Sequence, residues 1–157
     1  MNGEVKKILT QAGWYEGRCV DITAHLKWYA SEGYQIPKNV HDFLTAFGDL
    51  DFTLSRPYFR NGSRQVEMIR FITVPEDNGF EFEFIGDYNR YFKADMYPIA
   101  ASHTVYDYFM DTEGGIYAFY GNIGAKWGES FEDFILNIIR GTTREFENIK
   151  AQHKEQI

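Results

Sequence analysis

The first third of the chain constrains the fold most, because three apolar stripes at helical spacing each end at a glycine. Glycine often ends a helix, since it adopts the left-handed conformation without a steric penalty. We therefore predict three helices that stop at Gly13, Gly33 and Gly48. Asp21 is expected to cap the second helix, and Pro37 to lie in the first turn of the third. The stripes are Val5, Ile8, Leu9 and Ala12; Ile22, Leu26, Tyr29 and Ala30; and Val40, Phe43, Leu44 and Phe47.

The middle of the chain changes to the two-residue period of β-strands. Apolar and polar residues alternate over 52–55, and a β-rich apolar run follows at 66–72. Asn61-Gly62 lies between them, and this dipeptide is a strong signal for a hairpin turn. The pattern predicts an antiparallel β-hairpin in this region.

The next segment alternates even more regularly. Phenylalanines at 80, 82 and 84 enclose Glu81 and Glu83, which predicts a strand with one buried face and one acidic face. Residues 86–97 are ambiguous; their aromatic spacing is compatible with a short helix that Pro98 limits. Residues 105–120 read as two strands joined at 111–115.

A last helix is predicted after the loop that Gly121 and Gly124 mark. Ser130 is its expected cap, with Asp133 three residues on in a position resembling a capping box. Gly141 should end this helix. Residues 142–157 are more polar, and their pattern suggests a helical tail.

This order predicts one α+β domain over residues 1–157. Its N-terminal helices and C-terminal helix should pack on one face of a mainly antiparallel β-sheet. The length of 157 residues suits a single domain with a substantial core. Hydrophobic residues make up 44% of the chain, which is too apolar for a disordered protein.

The formal charge of −7 argues against nucleic-acid binding, because phosphates would be repelled. It is compatible with a basic protein partner, and equally with acidity that only keeps the protein soluble. The one cysteine, Cys19, excludes an internal disulfide and favours a reducing compartment. The sequence has no signal-peptide pattern and no apolar run of membrane-spanning length, so we expect a cytoplasmic protein without a membrane partner.

Few residues suggest chemistry. The four histidines and Cys19 lack metal-ligand spacing, so no metal or cofactor is expected, and Cys19 is interpreted as a small apolar filler. His41 and Asp42 are sequence neighbours on a helix and should point in different directions into solvent. Glu81 and Glu83 could be an acid pair of a glycosidase, but nothing nearby suggests a sugar subsite. The sequence therefore favours a protein that is not an enzyme.

A set of short motifs carries a family resemblance. In their order, these motifs resemble the SUKH superfamily of immunity proteins, and within it the SUKH-3 group, over roughly residues 11–141. At position 49 the family commonly has a second glycine, where this chain has Asp49. The matching residues are Ala12-Gly13-Trp14, Gly17-Arg18, Asp21, Gly33, Phe43-Leu44, Phe47-Gly48, Leu50, Tyr97-Pro98-Ile99, Gly115, Tyr117, Gly128-Glu129-Ser130-Phe131 and Gly141.

The resemblance implies an immunity protein that binds a cognate polymorphic toxin domain, often a nuclease or deaminase, in the producing bacterium. A regulatory adaptor on the same scaffold is the alternative, because fold does not fix function. Trp14 is expected to pack under the helix junction, where Arg18 would bind a carbonyl or carboxylate. A monomer or a weak dimer is compatible with the sequence.

Acidic and tyrosine residues between positions 81 and 113 form the predicted partner-binding surface. Carboxylates beside tyrosines would suit a basic toxin domain. The competing interpretation is that these residues belong to ordinary solvated faces. The predicted set is Glu81, Glu83, Asp87, Tyr88, Tyr106, Asp107, Tyr108, Asp111 and Glu113.

Overall fold

The computed structural model describes residues 1–74, 85–142 and 145–149. Within these ranges the chain forms five helices and seven strands. The helices are α1 (Gly3–Gln11), α2 (Thr23–Ser31), α3 (Lys38–Phe47), α4 (Ile85–Phe92) and α5 (Phe131–Ile139). The strands are β1 (Asp51–Arg60), β2 (Ser63–Thr73), β3 (Met96–Ala101), β4 (Asp107–Asp111), β5 (Ile116–Tyr120), β6 (Ile123–Gly128) and β7 (Glu147–Asn148).

The described strands form one sheet in sequence order, from β1 to β7, and every neighbouring pair is antiparallel. The first two strands pair over ten residues each, whereas β2 and β3 share only two residue pairs. The long hairpin therefore extends beyond the part of β2 that β3 covers. Its turn is Asn61-Gly62 with φ of 52° and 77°, as the sequence predicts for a tight hairpin.

The three N-terminal helices end near the predicted glycines, but the reason for glycine differs at one of them. Gly13 and Gly33 are left-handed, with φ of 109° and 84°. Gly48 has an ordinary φ of −56°, and the left-handed residue is Asp49, with φ of 63°. Glycine is needed at 48 for space, because a Cβ there would overlap the Leu44 carbonyl oxygen.

Helix α2 differs most from its predicted face. Its buried face carries Ile22, His25 and Tyr29, whereas Leu26 is 39% exposed. The sequence pattern placed Leu26 on the buried face because it considers only apolar residues and so does not place His25 in the core. The prediction that Asp21 caps this helix is wrong by one residue, because Ile22 is the N-cap. Asp21 lies just before it, and its Oδ1 accepts a hydrogen bond from the Thr23 amide at 2.9 Å.

Helices cover both faces of the sheet. Tyr108 of β4 packs on Phe134 of α5, with ring centroids 5.6 Å apart, on the side that the predicted N-terminal and C-terminal helices cover. The α+β class with those helices on an antiparallel sheet is confirmed. The short helix predicted within 86–97 is α4, and it lies on the opposite side, where Tyr88 stacks on Phe119 at 3.8 Å.

Two strands that precede α5 are missed by the sequence pattern. Strand β3 contains Pro98, next to an irregular register between Pro98 and Ala100. Strand β6 includes Gly124, which sequence reasoning assigns to a loop. Gly124 lies opposite Phe119, and a Cβ at 124 would overlap that ring. The glycine therefore makes room for a cross-strand aromatic ring.

The start of the C-terminal helix is confirmed in detail. Ser130 Oγ accepts a hydrogen bond from the Asp133 amide at 3.1 Å, and the Asp133 carboxylate accepts one from the Glu129 amide at 2.8 Å. Beyond Gly141, the described part of the predicted helical tail contains the short strand β7 instead. Phe146 packs there on Trp127 at 5.4 Å.

Two sequence predictions fall outside the described residues, namely the alternating strand at 80–84 and the tail at 150–157. Within the ranges that are described, none of the helices is long and apolar enough to cross a bilayer.

The close approach of Gly128 to α5 generates a stability prediction. A Cβ at Gly128 would lie 2.6 Å from Phe134 Cα, so the helix backbone must move in Gly128→Ala. We expect this change to lower the free energy of unfolding by about 2–3 kcal/mol. The matched control is Gly3→Ala, where a Cβ meets open space. Equal free energies from urea unfolding of the two variants would contradict this packing.

Candidate functional site

The N-terminal segment, residues 12–50, contains a packed corner between helices. Trp14 stacks on Phe47 with ring centroids 6.3 Å apart, and Phe47 lies 4.8 Å from Phe131 of α5. The Arg18 guanidinium donates to the Ala46 carbonyl at 2.9 Å. Through these contacts, both the Trp14 and the Arg18 side chains are held against the fold. The predicted structural set is Gly13, Trp14, Gly17, Arg18, Gly33, Phe43, Leu44, Phe47, Gly48 and Pro98.

His25 lies behind this corner and is 2% exposed. Its Nε2 is 3.2 Å from the Asp49 carboxylate, and Gly48 lies against the same ring. Burial lowers the pKa of His25, and the Asp49 charge opposes that shift. His25 is therefore an interior side chain that contacts the carboxylate of Asp49. His41 and Asp42 are exposed, as predicted.

No group of three or more metal-ligating side chains occurs among the described residues. Cys19 is exposed, so its interpretation as an apolar filler is wrong. Exposure of a single thiol does not by itself indicate a reactive group.

Asp111 belongs to the predicted partner-binding set, yet it is 4% exposed. Its carboxylate accepts hydrogen bonds from the Glu113 amide at 2.8 Å, the Gly115 amide at 2.9 Å and the Tyr117 hydroxyl at 2.7 Å. Burial and the bond to Asp111 raise the pKa of Tyr117. Asp111 thus holds the turn between β4 and β5, and its carboxylate is not presented to a partner.

Tyr88 and Tyr108 are also buried. The Tyr88 hydroxyl donates to the Gly121 carbonyl, and the Tyr108 hydroxyl donates to the Arg70 carbonyl at 3.1 Å. Burial raises the pKa of Tyr108. Sequence reasoning placed both tyrosines near a solvated acidic patch. Here the helices cover both sides of β4 and β5, so both tyrosines are interior.

The other described members of the set lie on different sides of the sheet. Tyr106 is half-buried and packs on Trp127 at 5.5 Å, on the α5 side, and burial raises its pKa to about 12. Asp107 follows it in sequence, so its side chain lies on the α4 side. Asp87 of α4 pairs with Arg90. Glu113 is exposed at the β4–β5 turn. Glu81 and Glu83 lie outside the described residues.

An exposed apolar cluster on the β1–β2 hairpin was missed. Phe59, Val66 and Met68 are among the most exposed large hydrophobic residues of the described chain. A signal for them was available, because a two-residue Asn61-Gly62 turn fixes the register and so the side on which each residue lies. The sequence interpretation used this turn only to identify the hairpin.

Comparison with known families agrees with this architecture. The family model of the SUKH-3 immunity proteins matches residues 1–141. The chain belongs to the SUKH-3 immunity protein family. Comparison of the sequence with curated proteins and with solved structures gives no significant match. The match confirms the resemblance inferred from the motifs, and membership of the family indicates an immunity role.

The structure explains the departure of this SUKH-3 protein at position 49. The backbone there is left-handed, which favours the glycine common in the family. Aspartate is one of the few other residues that tolerate this conformation. In this chain its carboxylate also lies beside His25.

We predict that Asp111→Ala destabilises this SUKH-3 protein by about 3 kcal/mol, because three donors at the turn lose their acceptor. The matched control is Glu113→Ala, which removes an exposed carboxylate two residues away and should change the free energy of unfolding by less than about 0.5 kcal/mol. Urea unfolding measures both. Similar small effects for the two variants would show that Asp111 is not a structural residue.

His25 generates a pH prediction. The unfolded chain protonates this histidine near its ordinary pKa of 6.5, whereas the folded chain resists protonation because the ring is buried. The free energy of unfolding should therefore fall as the pH decreases from 7.5 to 5.5, and His25→Gln should reduce that decrease. Urea unfolding at both pH values gives the slopes. Equal slopes for the wild type and His25→Gln would refute this role of His25.

Proposed function

We propose that this protein binds a cognate polymorphic toxin domain, one to one, and neutralises it. The observation that carries the proposal is the SUKH-3 match over residues 1–141, which spans all five described helices and six of the seven described strands. The toxin is proposed to be a nuclease or a deaminase. Because such a toxin must bind nucleic acid, its own surface should be basic.

The net charge of −7 supports this choice of partner. Opposite net charges accelerate the diffusional encounter of two proteins without requiring that every charge lie in the interface. Exposed carboxylates such as Glu113 contribute to that long-range attraction. The proposal places neutralisation in the cytoplasm of the producing bacterium, where nucleic-acid targets lie.

The contacts of the polar side chains support stoichiometric binding of a toxin rather than catalytic turnover of a substrate. The polar groups that sequence reasoning singles out are engaged in structural contacts, as Asp111 is with three donors and Arg18 with a backbone carbonyl. His25 is enclosed beside Asp49. A general acid or base must reach its substrate, and Asp111 and His25 do not reach the surface.

The test is neutralisation of the C-terminal domain of the toxin encoded in the neighbouring reading frame. Co-expression should rescue growth, and titration of purified toxin domain should abolish its activity with a breakpoint at about one equivalent of this protein. Failure to rescue growth would refute the immunity role. Capture of a non-toxin partner with unaltered survival would instead favour the regulatory adaptor.

A further inference from the structure

The hairpin of β1 and β2 carries an apolar surface on the side that faces away from the core. Phe59, Met68 and Val66 are 77%, 63% and 55% exposed. Cross-strand pairing places Val66 opposite Pro57 and Arg64 opposite Phe59, so these side chains share one side. We call this surface the hairpin face, consisting of Pro57, Phe59, Arg64, Val66 and Met68.

The two sides of the hairpin differ in their contacts. Phe52, Leu54 and Phe71 on the inner side are buried in the core, where Phe71 contacts Phe131 of α5 at 5.5 Å. The strands that carry the hairpin face are therefore held in place by the packing of their inner side on the core. A contiguous apolar surface on a rigid support is typical of a protein-binding site.

The charges around the hairpin face differ from those of the whole chain. The hairpin has four arginines and only two carboxylates, against a net charge of −7 for the protein. Arg56 pairs with Glu67, and Arg70 pairs with Asp51.

The remaining two arginines lie towards the turn. The guanidinium groups of Arg60 and Arg64 form no ion pair or hydrogen bond with the described residues. The strand register places Arg64 on the hairpin face, whereas Arg60 lies opposite Ser63 on the other side. A guanidinium at an interface is best matched by a carboxylate, which it can bind in a bidentate geometry.

A cleft adjoins the hairpin face at the outer edge of the sheet. It has a volume of about 380 Å³ and lies between α1 and β1. Its walls include Ile8 and Ile139 from the helices, and it shares Pro57, Arg64 and Val66 with the hairpin face. The cleft is large enough for an apolar side chain of a partner, and Arg64 stands at its wall.

We propose that the hairpin face is the docking surface for the toxin domain, which presents an apolar side chain to the cleft and a carboxylate to Arg64. This inference rests on the proposed function and adds the surface and its chemistry. The overall negative charge of the protein accelerates the encounter with a basic toxin, and Arg64 selects an acidic segment on it.

A second copy of this chain does not fit the same surface. A two-fold symmetric contact would bring the hairpin face onto itself and so bring the unpaired guanidiniums of both copies together. Like charges at such a contact oppose association. The charge pattern therefore favours a partner with carboxylates over a homodimer.

The test measures the affinity of the full-length protein for the toxin domain from the neighbouring reading frame. Phe59→Ser and Arg64→Glu should each weaken binding at least about tenfold. The matched controls are Tyr15→Ser in the loop after α1 and Lys27→Glu on α2, both at exposed positions, and they should stay within about twofold of the wild type. All four substitutions are at the surface, so unfolding curves should be near that of the wild type.

The sign of the Arg64→Glu effect is decisive. This variant makes the protein more acidic, so a basic toxin that docks elsewhere would bind it equally well or more tightly. Weaker binding than for Lys27→Glu supports docking at the hairpin face. Equal or tighter binding overturns the inference while leaving the immunity role intact.

Absence of binding by the wild type refutes the proposed function itself. Self-association that Phe59→Ser abolishes would overturn the inference in favour of a homodimer.

Discussion

The aromatic contact between α5 and the sheet is the interaction on which the rest of this structure depends. Phe71 contacts Phe131 and Phe134 with ring centroids 5.5 and 5.9 Å apart, and Tyr108 contacts Phe134 at 5.6 Å. Gly128 lets the helix approach the sheet. Aromatic rings bury large areas and prefer offset or edge-to-face geometries, so they fix the helix in one position. This contact also anchors the inner side of the β1–β2 hairpin, which leaves the outer side free for another protein.

Much of the fold could be predicted because local chemistry determines it. The left-handed glycines at 13 and 33, the Asn61-Gly62 turn and the Ser130 cap act within a few residues of themselves. Strand β6 was missed because the reason for Gly124 lies on another strand, in the ring of Phe119. A single sequence does not show which glycine ends an element and which one makes room for a distant side chain.

The candidate site was harder to predict for a related reason. Asp111 reads as a solvated hairpin residue, yet three donors and burial make it part of the interior. Tyr88 and Tyr108 are interior because α4 and α5 cover opposite sides of β4 and β5. Burial of these three depends on which helix packs on which face, and periodicity does not determine that. We propose that the exposed residues have two separate roles. The net charge attracts the toxin domain, and the hairpin face binds it.

Methyl cross-saturation NMR tests the central claim most directly, because it reports which side chains of the intact protein contact the toxin domain. The methyl groups of Met68 and Val66 are exposed on the hairpin face and serve as probes. The account predicts that irradiation of the bound toxin domain reduces the signals of these two residues most strongly. Strongest loss at exposed methyl groups elsewhere, such as those of Leu26 on α2 or Val105 before β4, with no loss at Met68 and Val66, would contradict it.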